Sequence, residues 1–233
     1  MADYLWPSGL APRAVSYYLQ PHTGGTASPF SRVTKTYELS APLWVCRMSF
    51  FGGYNGKSGV QAFGAVLDAL FARLRGRANR IGVYDFRRPT MRDANTSAAG
   101  NLAASAGSFS MTITGLDPGA SLLAGDYIGG DGRPHILVAD AVADGSGQAT
   151  VFFEPALRAA VGANAAVFGN PVGWFRLQSE DTGANPVQVG EGVSYDLDLL
   201  EDPLNAPLIF IPNQTLMIGG YTVLVAGDTV EMA

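Results

Sequence analysis

The stretch Arg32-Val33-Thr34-Lys35-Thr36-Tyr37-Glu38-Leu39, then Ser40-Ala41-Pro42, then Leu43-Trp44-Val45-Cys46-Arg47-Met48-Ser49-Phe50-Phe51 decides the fold class. Both flanks are rich in β-branched and aromatic residues and alternate in polarity, the pattern of a strand with one wet and one dry face. Ser40-Ala41-Pro42 reads as a turn, so the pair is expected to form an antiparallel hairpin. A further strand is expected upstream at Val15 to Gln20, stopped by Pro21.

Downstream, the period changes. Phe63, Val66, Leu67, Leu70, Phe71 and Leu74 recur at helical spacing, with Ser58 and Gln61 placed as a capping box and Gly76 as the stop. A helix is expected over 58–75, its apolar stripe lying on another layer. Arg80 to Phe86 then reads as a strand ended by Arg88-Pro89. The small residues Thr96 to Gly100 read as a linker. Beyond it, Ser108–Thr114, Asp126–Gly129, His135–Ala139, Gln148–Phe153 and Ala165–Phe168 are short strand candidates, with Asp131-Gly132 and Asp144 to Gly147 as tight turns. About five such strands fit a small barrel. Trp174 to Leu177 reads as a strand returning to the first layer. Val193–Leu199, Pro207–Ile211, Leu216–Ile218 and Tyr221–Ala226 follow, with Gly219-Gly220 as a hairpin turn.

The composition agrees with a mainly β chain. Its 233 residues are 47% hydrophobic and only 15% charged, with 29 Gly and 14 Pro, so apolar material is cut into short pieces. Charge is uneven: residues 1–92 carry +8, residues 93–176 carry −4, and residues 177–233 carry −9 with no Lys or Arg. Such ends repel within themselves and neutralise each other when packed together. The expected organisation is a β-sandwich built from 1–94 and 177–233 with one covering helix, and a small β-barrel inserted at 95–176.

Few residues suggest chemistry. Gly52-Gly53-Tyr54-Asn55-Gly56-Lys57-Ser58 sits where a phosphate loop would, but three residues separate Gly52 from Gly56 where the phosphate loop needs four. Neither His22 nor His135 has a second His or Cys to complete a metal set. Cys46 is the single cysteine, inside an alternating strand, and is expected to be buried and inert. Asp126, Asp131, Asp140 and Asp144 fall in turns and lack the calcium-loop spacing. No catalytic residue, cofactor or metal is expected, and no enzymatic activity. Met1 to Leu10 has no basic and apolar leader pattern, and no run approaches the roughly 18 apolar residues of a membrane span, so synthesis and folding in the cytosol are expected.

Arginine is the residue type that stands out. Arg73, Arg75, Arg77, Arg80, Arg87, Arg88 and Arg92 fall within twenty residues, opposed only by Asp85. With a sequence pI near 4.9, a nucleic-acid surface is disfavoured. Ion pairing with the acidic C-terminal segment, or with a neighbouring subunit, fits better, because the planar guanidinium grips carboxylates bidentately, and a merely solvated face is the alternative.

The order of several motifs resembles one family. Ser28-Pro29-Phe30, Thr36-Tyr37-Glu38-Leu39, Trp44 opening a strand, the amphipathic helix and Leu74-Arg75-Gly76-Arg77-Ala78-Asn79-Arg80 look like distal tail proteins of long-tailed bacteriophages. Ala124 to Ile128, Gly145 to Val151 and Glu154-Pro155-Ala156-Leu157-Arg158 are similar to the inserted domain of those proteins, and Phe175-Arg176-Leu177 with Glu201-Asp202 continues the pattern. The resemblance covers most of 28–178 and departs after Pro203. It implies a ring, commonly six-fold, at the tail tip of the virion, between the tail tube protein and the hub or baseplate protein, with DNA passing through its lumen. Arg73, Arg75, Arg77, Arg80, Arg87, Arg88, Glu201 and Asp202 are the candidate interface or ion-pair residues. Two other classes remain open. A carbohydrate-binding module would expose coplanar aromatics, for which Tyr127, Phe152, Phe153 and Trp174 are candidates, and a cell-wall hydrolase would need paired carboxylates of displaced acidity.

Overall fold

A computed structural model describes residues 2–30, 32–51, 63–93, 99–183 and 194–202, and in the C-terminal part 215–218, 221–226 and 229–232. The chain is mainly β, with one α-helix among the described residues. In order, the elements are β1 (Asp3–Leu5), β2 (Ala14–Ala27), β3 (Thr34–Phe51), α1 (Phe63–Leu74) and β4 (Arg80–Val83). Next come β5 (Gly100–Asn101), β6 (Ser110–Thr114), β7 (Ser121–Leu122), β8 (Tyr127–Gly129), β9 (His135–Leu137), β10 (Ala141–Val142), β11 (Ala149–Glu154) and β12 (Val167–Phe168). Then follow β13 (Gly173–Leu177), β14 (Ser194–Glu201), β15 (Thr215–Ile218), β16 (Tyr221–Ala226) and β17 (Thr229–Met232).

The first sheet has six strands in the order β1-β4-β13-β14-β3-β2, so strands from early and late in the sequence interleave. β14 lies antiparallel to β3 from Ser194↔Phe51 to Leu200↔Val45, and β13 joins β14 to β4. Alternation along β14 buries Tyr195, Leu197 and Leu199 and exposes Asp196 and Asp198. On the dry face these side chains meet Cys46, Met48, Phe50, Phe175 and Ile81, together with Leu67, Leu70 and Leu74 of α1. Each such aliphatic side chain contributes about 1.5–3 kcal/mol by leaving water. Of the expected helical stripe, Val66 is exposed, because the face that meets the sheet is set by Leu67, Leu70, Phe71 and Leu74. The helix stops as its sequence suggests: Arg75 and Gly76 turn to φ +50° and +60°, and Asn79 N–H donates to the Leu74 carbonyl. The capping box at Ser58 and Gln61 lies outside the described residues.

The expected hairpin at 32–51 is not what forms. Both of its halves belong to the single strand β3, and the partner of both is β2. Ser40-Ala41-Pro42 is passed without a turn, and Pro21 does not end β2. The reason is the neighbourhood. β2 is the sheet's edge, and the pairing of β3 with β14 has ended by Val45, so a proline here costs little ladder bonding. Register shifts around His22 absorb the irregularity. Past that point the β2 and β3 strands run on as a two-stranded arm, from Thr23↔Glu38 to Ala27↔Thr34, exposed along most of its length.

A second six-stranded sheet has the order β12-β8-β9-β11-β6-β5, beside a small β7/β10 pair. Its strands match the expected ones to within a few residues, and the Asp131-Gly132 turn joins β8 to β9. Its core is separate: Ile113, Leu122, Ile128, Leu137, Val151 and Phe153 with their neighbours. Of the linker candidate at 96–100, residues 96–98 lie outside the described residues, and Gly100 already opens β5.

Residues 204–233 form a compact unit of their own. Within it β15, β16 and β17 make an antiparallel meander, with Ile218 opposite Tyr221 across the expected hairpin. The strand expected at Pro207–Ile211 lies outside the described residues.

Candidate functional site

The arginine cluster does not stay together. Arg73, Arg75 and Arg77, around the end of α1, are exposed. Arg73 lies over the Tyr4 ring at 5.2 Å, and no ion pair to Arg75 or Arg77 is found among the described residues. Arg80 instead points inward from β4. Its Nε and Nη2 donate to the two Asp3 carboxylate oxygens at 2.8 and 2.7 Å, its Nη1 lies 3.5 Å from Asp202, and its guanidinium covers Trp174.

Glu201 and Asp202, at the end of β14, form the centre of a buried charge clasp. Glu201 accepts from Arg133 at 2.7 Å, from Arg158 at 2.9 Å and from the Trp44 backbone N–H at 2.9 Å. Asp202 meets Arg176 at 2.9 Å as well as Arg80. Four guanidiniums from β4, β13, the β8–β9 turn and the segment after β11 therefore converge on two adjacent carboxylates. Burial pushes the Arg133 guanidinium below its usual value, and Glu201 opposes that shift. Arg133, Arg158 and Arg176 were not singled out from the sequence. Asp131 and Glu154 lie nearer to Arg133 and Arg158 in the chain than their partners do, and the signal present was the adjacency of Glu201 and Asp202, an acid pair that demands cations once buried.

The remaining arginines tie the segment after β4 to the second sheet. Asp85, buried, accepts from Arg87 Nε and Nη2 at 2.9 and 2.8 Å and from the Tyr127 hydroxyl at 3.0 Å. Arg88 donates to the Gly125 carbonyl at 2.9 Å, and Arg92 pairs with Asp126 at 2.7 Å and also donates to the Ala124 carbonyl. Burial and the nearby Asp85 push the Tyr127 hydroxyl well above its usual range.

These placements separate the expected roles of the arginines. Reversing the charges of Arg75 and Arg77 together is expected to shift unfolding free energy by no more than about 0.5 kcal/mol, since both are exposed. Arg80→Ala is expected to cost about 2–3 kcal/mol, because it removes a buried guanidinium from Asp3 and leaves Asp202 with one fewer cation beside it. Urea denaturation of the two variants measures the difference.

His135 is buried between two acceptors, with Nδ1 2.6 Å from the Pro155 carbonyl and Nε2 2.9 Å from Asp131. Burial works to raise the Asp131 carboxyl, but His135 and the backbone N–H groups of Arg158 and Arg133 outweigh it and hold it below the usual range. His22, exposed on β2, meets the Ser40 hydroxyl at 2.8 Å. Cys46 is fully buried, and burial, with Asp85 nearby, pushes its thiol up to about 12, far from the thiolate a nucleophile needs. No cluster of metal-ligating side chains is found among the described residues, and no helix among them is long and apolar enough to cross a membrane. The glycine-rich stretch 52–58 lies outside the described residues.

No family model matches the chain, and no curated protein does. Of the aromatics considered for a sugar platform, Tyr127 and Phe153 are buried in the two cores and Trp174 lies under Arg80, which leaves Phe152 as the exposed one. The carboxyls of clearly displaced acidity among the described residues, Asp131 and Asp144, both shift downward, Asp144 through the Ser146 hydroxyl and two backbone N–H groups. A general acid for glycoside hydrolysis needs the opposite shift.

Among the described residues, the β2/β3 arm is exposed along most of its length. Lys35, Tyr37 and Leu39 share one of its faces by alternation. The Tyr37 ring lies across Gly24 of the paired strand so closely that a Cβ there would meet it at 2.8 Å. Tyr37 and Leu39 are each 54% exposed, and Phe30 at the arm's tip is 98% exposed.

Proposed function

We propose that the chain is a structural subunit that assembles with copies of itself into a ring at the distal end of a bacteriophage tail. In this reading the ring, with six subunits as the expected number, joins the tail tube protein to the hub or baseplate protein, and DNA crosses its lumen as a passenger. Strands of 1–94 and 177–202 supply a sandwich-like ring-building domain, and 95–176 is an inserted small barrel.

The observation that carries the self-assembly part is the arm. A two-stranded ribbon with an apolar face and an aromatic tip in water is unfavourable for a lone chain and is explained by a second surface that covers it. Two further features support the reading. Strands from before and after the second sheet's segment interleave in one sheet, and the Leu74 to Arg80 motif forms the helix stop that delivers Arg80 to the clasp. A cyclic ring needs heterologous contact, one surface of a subunit against a different surface of the next. Negative-stain imaging of the purified chain tests the reading: closed rings with a central channel are expected, and irregular aggregates or isolated 24.4 kDa particles at high concentration count against it.

A further inference from the structure

We propose that the arm tip is a knob, Phe30, that seats in a groove at the base of the arm of a second copy of this chain. The inference rests on the self-assembly part of the reading above and names the contact that mediates it.

Leu39 and Pro42 of β3 face Phe109 and Ala156, beside β6 and β11, across an open depression of about 410 Å³, with the carboxylates Glu38 and Glu154 at its rim. Phe109 is 53% exposed, so this wall is apolar and wet. The volume admits a phenyl ring with room to spare. The knob carries the complementary charge. Phe30 is followed by Arg32 and Lys35, both exposed, and no ion pair to either is found among the described residues. Glu38 and Glu154 are likewise without an ion pair among the described residues, so two cations at the tip face two anions at the groove.

The occupant must be another copy. Phe30 cannot reach its own groove, because the strands between them are paired from Thr23↔Glu38 to Ala27↔Thr34. At about 3.3 Å of rise per residue this ribbon holds the tip roughly 15 Å from the groove. Knob and groove are different surfaces, so the contact is head-to-tail and repeats from copy to copy. Hydrophobic anchors ringed by opposite charges are the usual centre of such contacts.

The test uses the full chain and its mass in solution by sedimentation. Phe30→Asp is expected to weaken self-association by about 30-fold or more, the scale of losing a central aromatic anchor. Ala156→Trp, which fills the groove, is expected to do the same, with circular dichroism and thermal melting unchanged for both. The decisive arm mixes the two variants. The Phe30→Asp chain keeps a groove and the Ala156→Trp chain keeps a knob, so the mixture is expected to form a one-to-one dimer that neither forms alone. A Phe30→Asp chain of wild-type mass, a mixture that stays monomeric, or a wild-type chain that never self-associates would each overturn the contact. Rings that persist in Phe30→Asp remove the contact and leave the ring reading standing. Variants that lose mass while the wild type forms open chains keep the contact and remove the ring.

Discussion

Glu201→Leu is expected to lose roughly 3–5 kcal/mol of unfolding free energy, the cost of leaving a buried charge without its partner. Glu201 holds Arg133 at 2.7 Å, Arg158 at 2.9 Å and the Trp44 backbone N–H at 2.9 Å, all from elements distant in sequence. Arg133 is itself buried, and the guanidinium remains protonated at neutral pH, so it cannot escape the loss by neutralising. Glu201→Gln keeps an acceptor for the Trp44 N–H and removes only the charge, so it is expected to fall between wild type and Glu201→Leu. The double variant Glu201→Leu/Arg133→Leu is expected to be more stable than Glu201→Leu, because the stranded cation is gone. Urea denaturation of the four proteins tests the clasp, and additive losses in the double variant would contradict it.

Trp44→Ala is expected to be comparably damaging, about 3–5 kcal/mol. The ring of Trp44 stacks on Tyr17 at 4.9 Å between centroids and meets Tyr127 edge-on at 5.8 Å, and its Nε1 donates to the Pro134 carbonyl at 2.7 Å. Tyr127 and Pro134 belong to the β8–β9 hairpin of the second sheet, so one side chain packs the first core and fastens that hairpin to it. Trp44→Phe retains much of the volume and loses the Nε1 donor, leaving the Pro134 carbonyl without it. A loss of about 1–3 kcal/mol is expected for it. Thermal melts compared with urea midpoints read both variants, and a Trp44→Phe protein as unstable as Trp44→Ala would place the weight on the hydrogen bond.

What could be read from the sequence followed from period and turn chemistry. Alternation located β14 and β11 because one face of each is dry. The 3.6-residue spacing located α1, and Gly76 ended it because the chain there turns left-handed. What could not be read depended on neighbours. Ser40-Ala41-Pro42 carries every local sign of a turn, yet β3 runs through it, since whether a proline is tolerated in a strand depends on what is bonded beside it. The arginine cluster showed the same limit. Its density along the chain suggested pairing with the acidic C-terminal segment or a neighbouring subunit; in the fold Arg80 alone of the cluster reaches that segment, at Asp202, and it also bonds Asp3, while Arg87, Arg88 and Arg92 bind Asp85, Gly125 and Asp126, and Arg75 and Arg77 stay in water. Arg87 finds its acid two residues away, but the partners of Arg80, Arg88 and Arg92 lie between 34 and 122 residues away, and a single sequence holds no signal for such pairs. The arm was hidden for a related reason: its strands look like any others, and only their continuation beyond the sheet reveals them as exposed.

Assembly of copies of this chain into a closed set is tested most directly by the absolute mass of the purified full chain in solution, by light scattering across a concentration series. A plateau at one integer multiple of 24.4 kDa, six being the expected number, is the predicted result. A mass that stays at 24.4 kDa at every concentration, or climbs without a plateau, would contradict it.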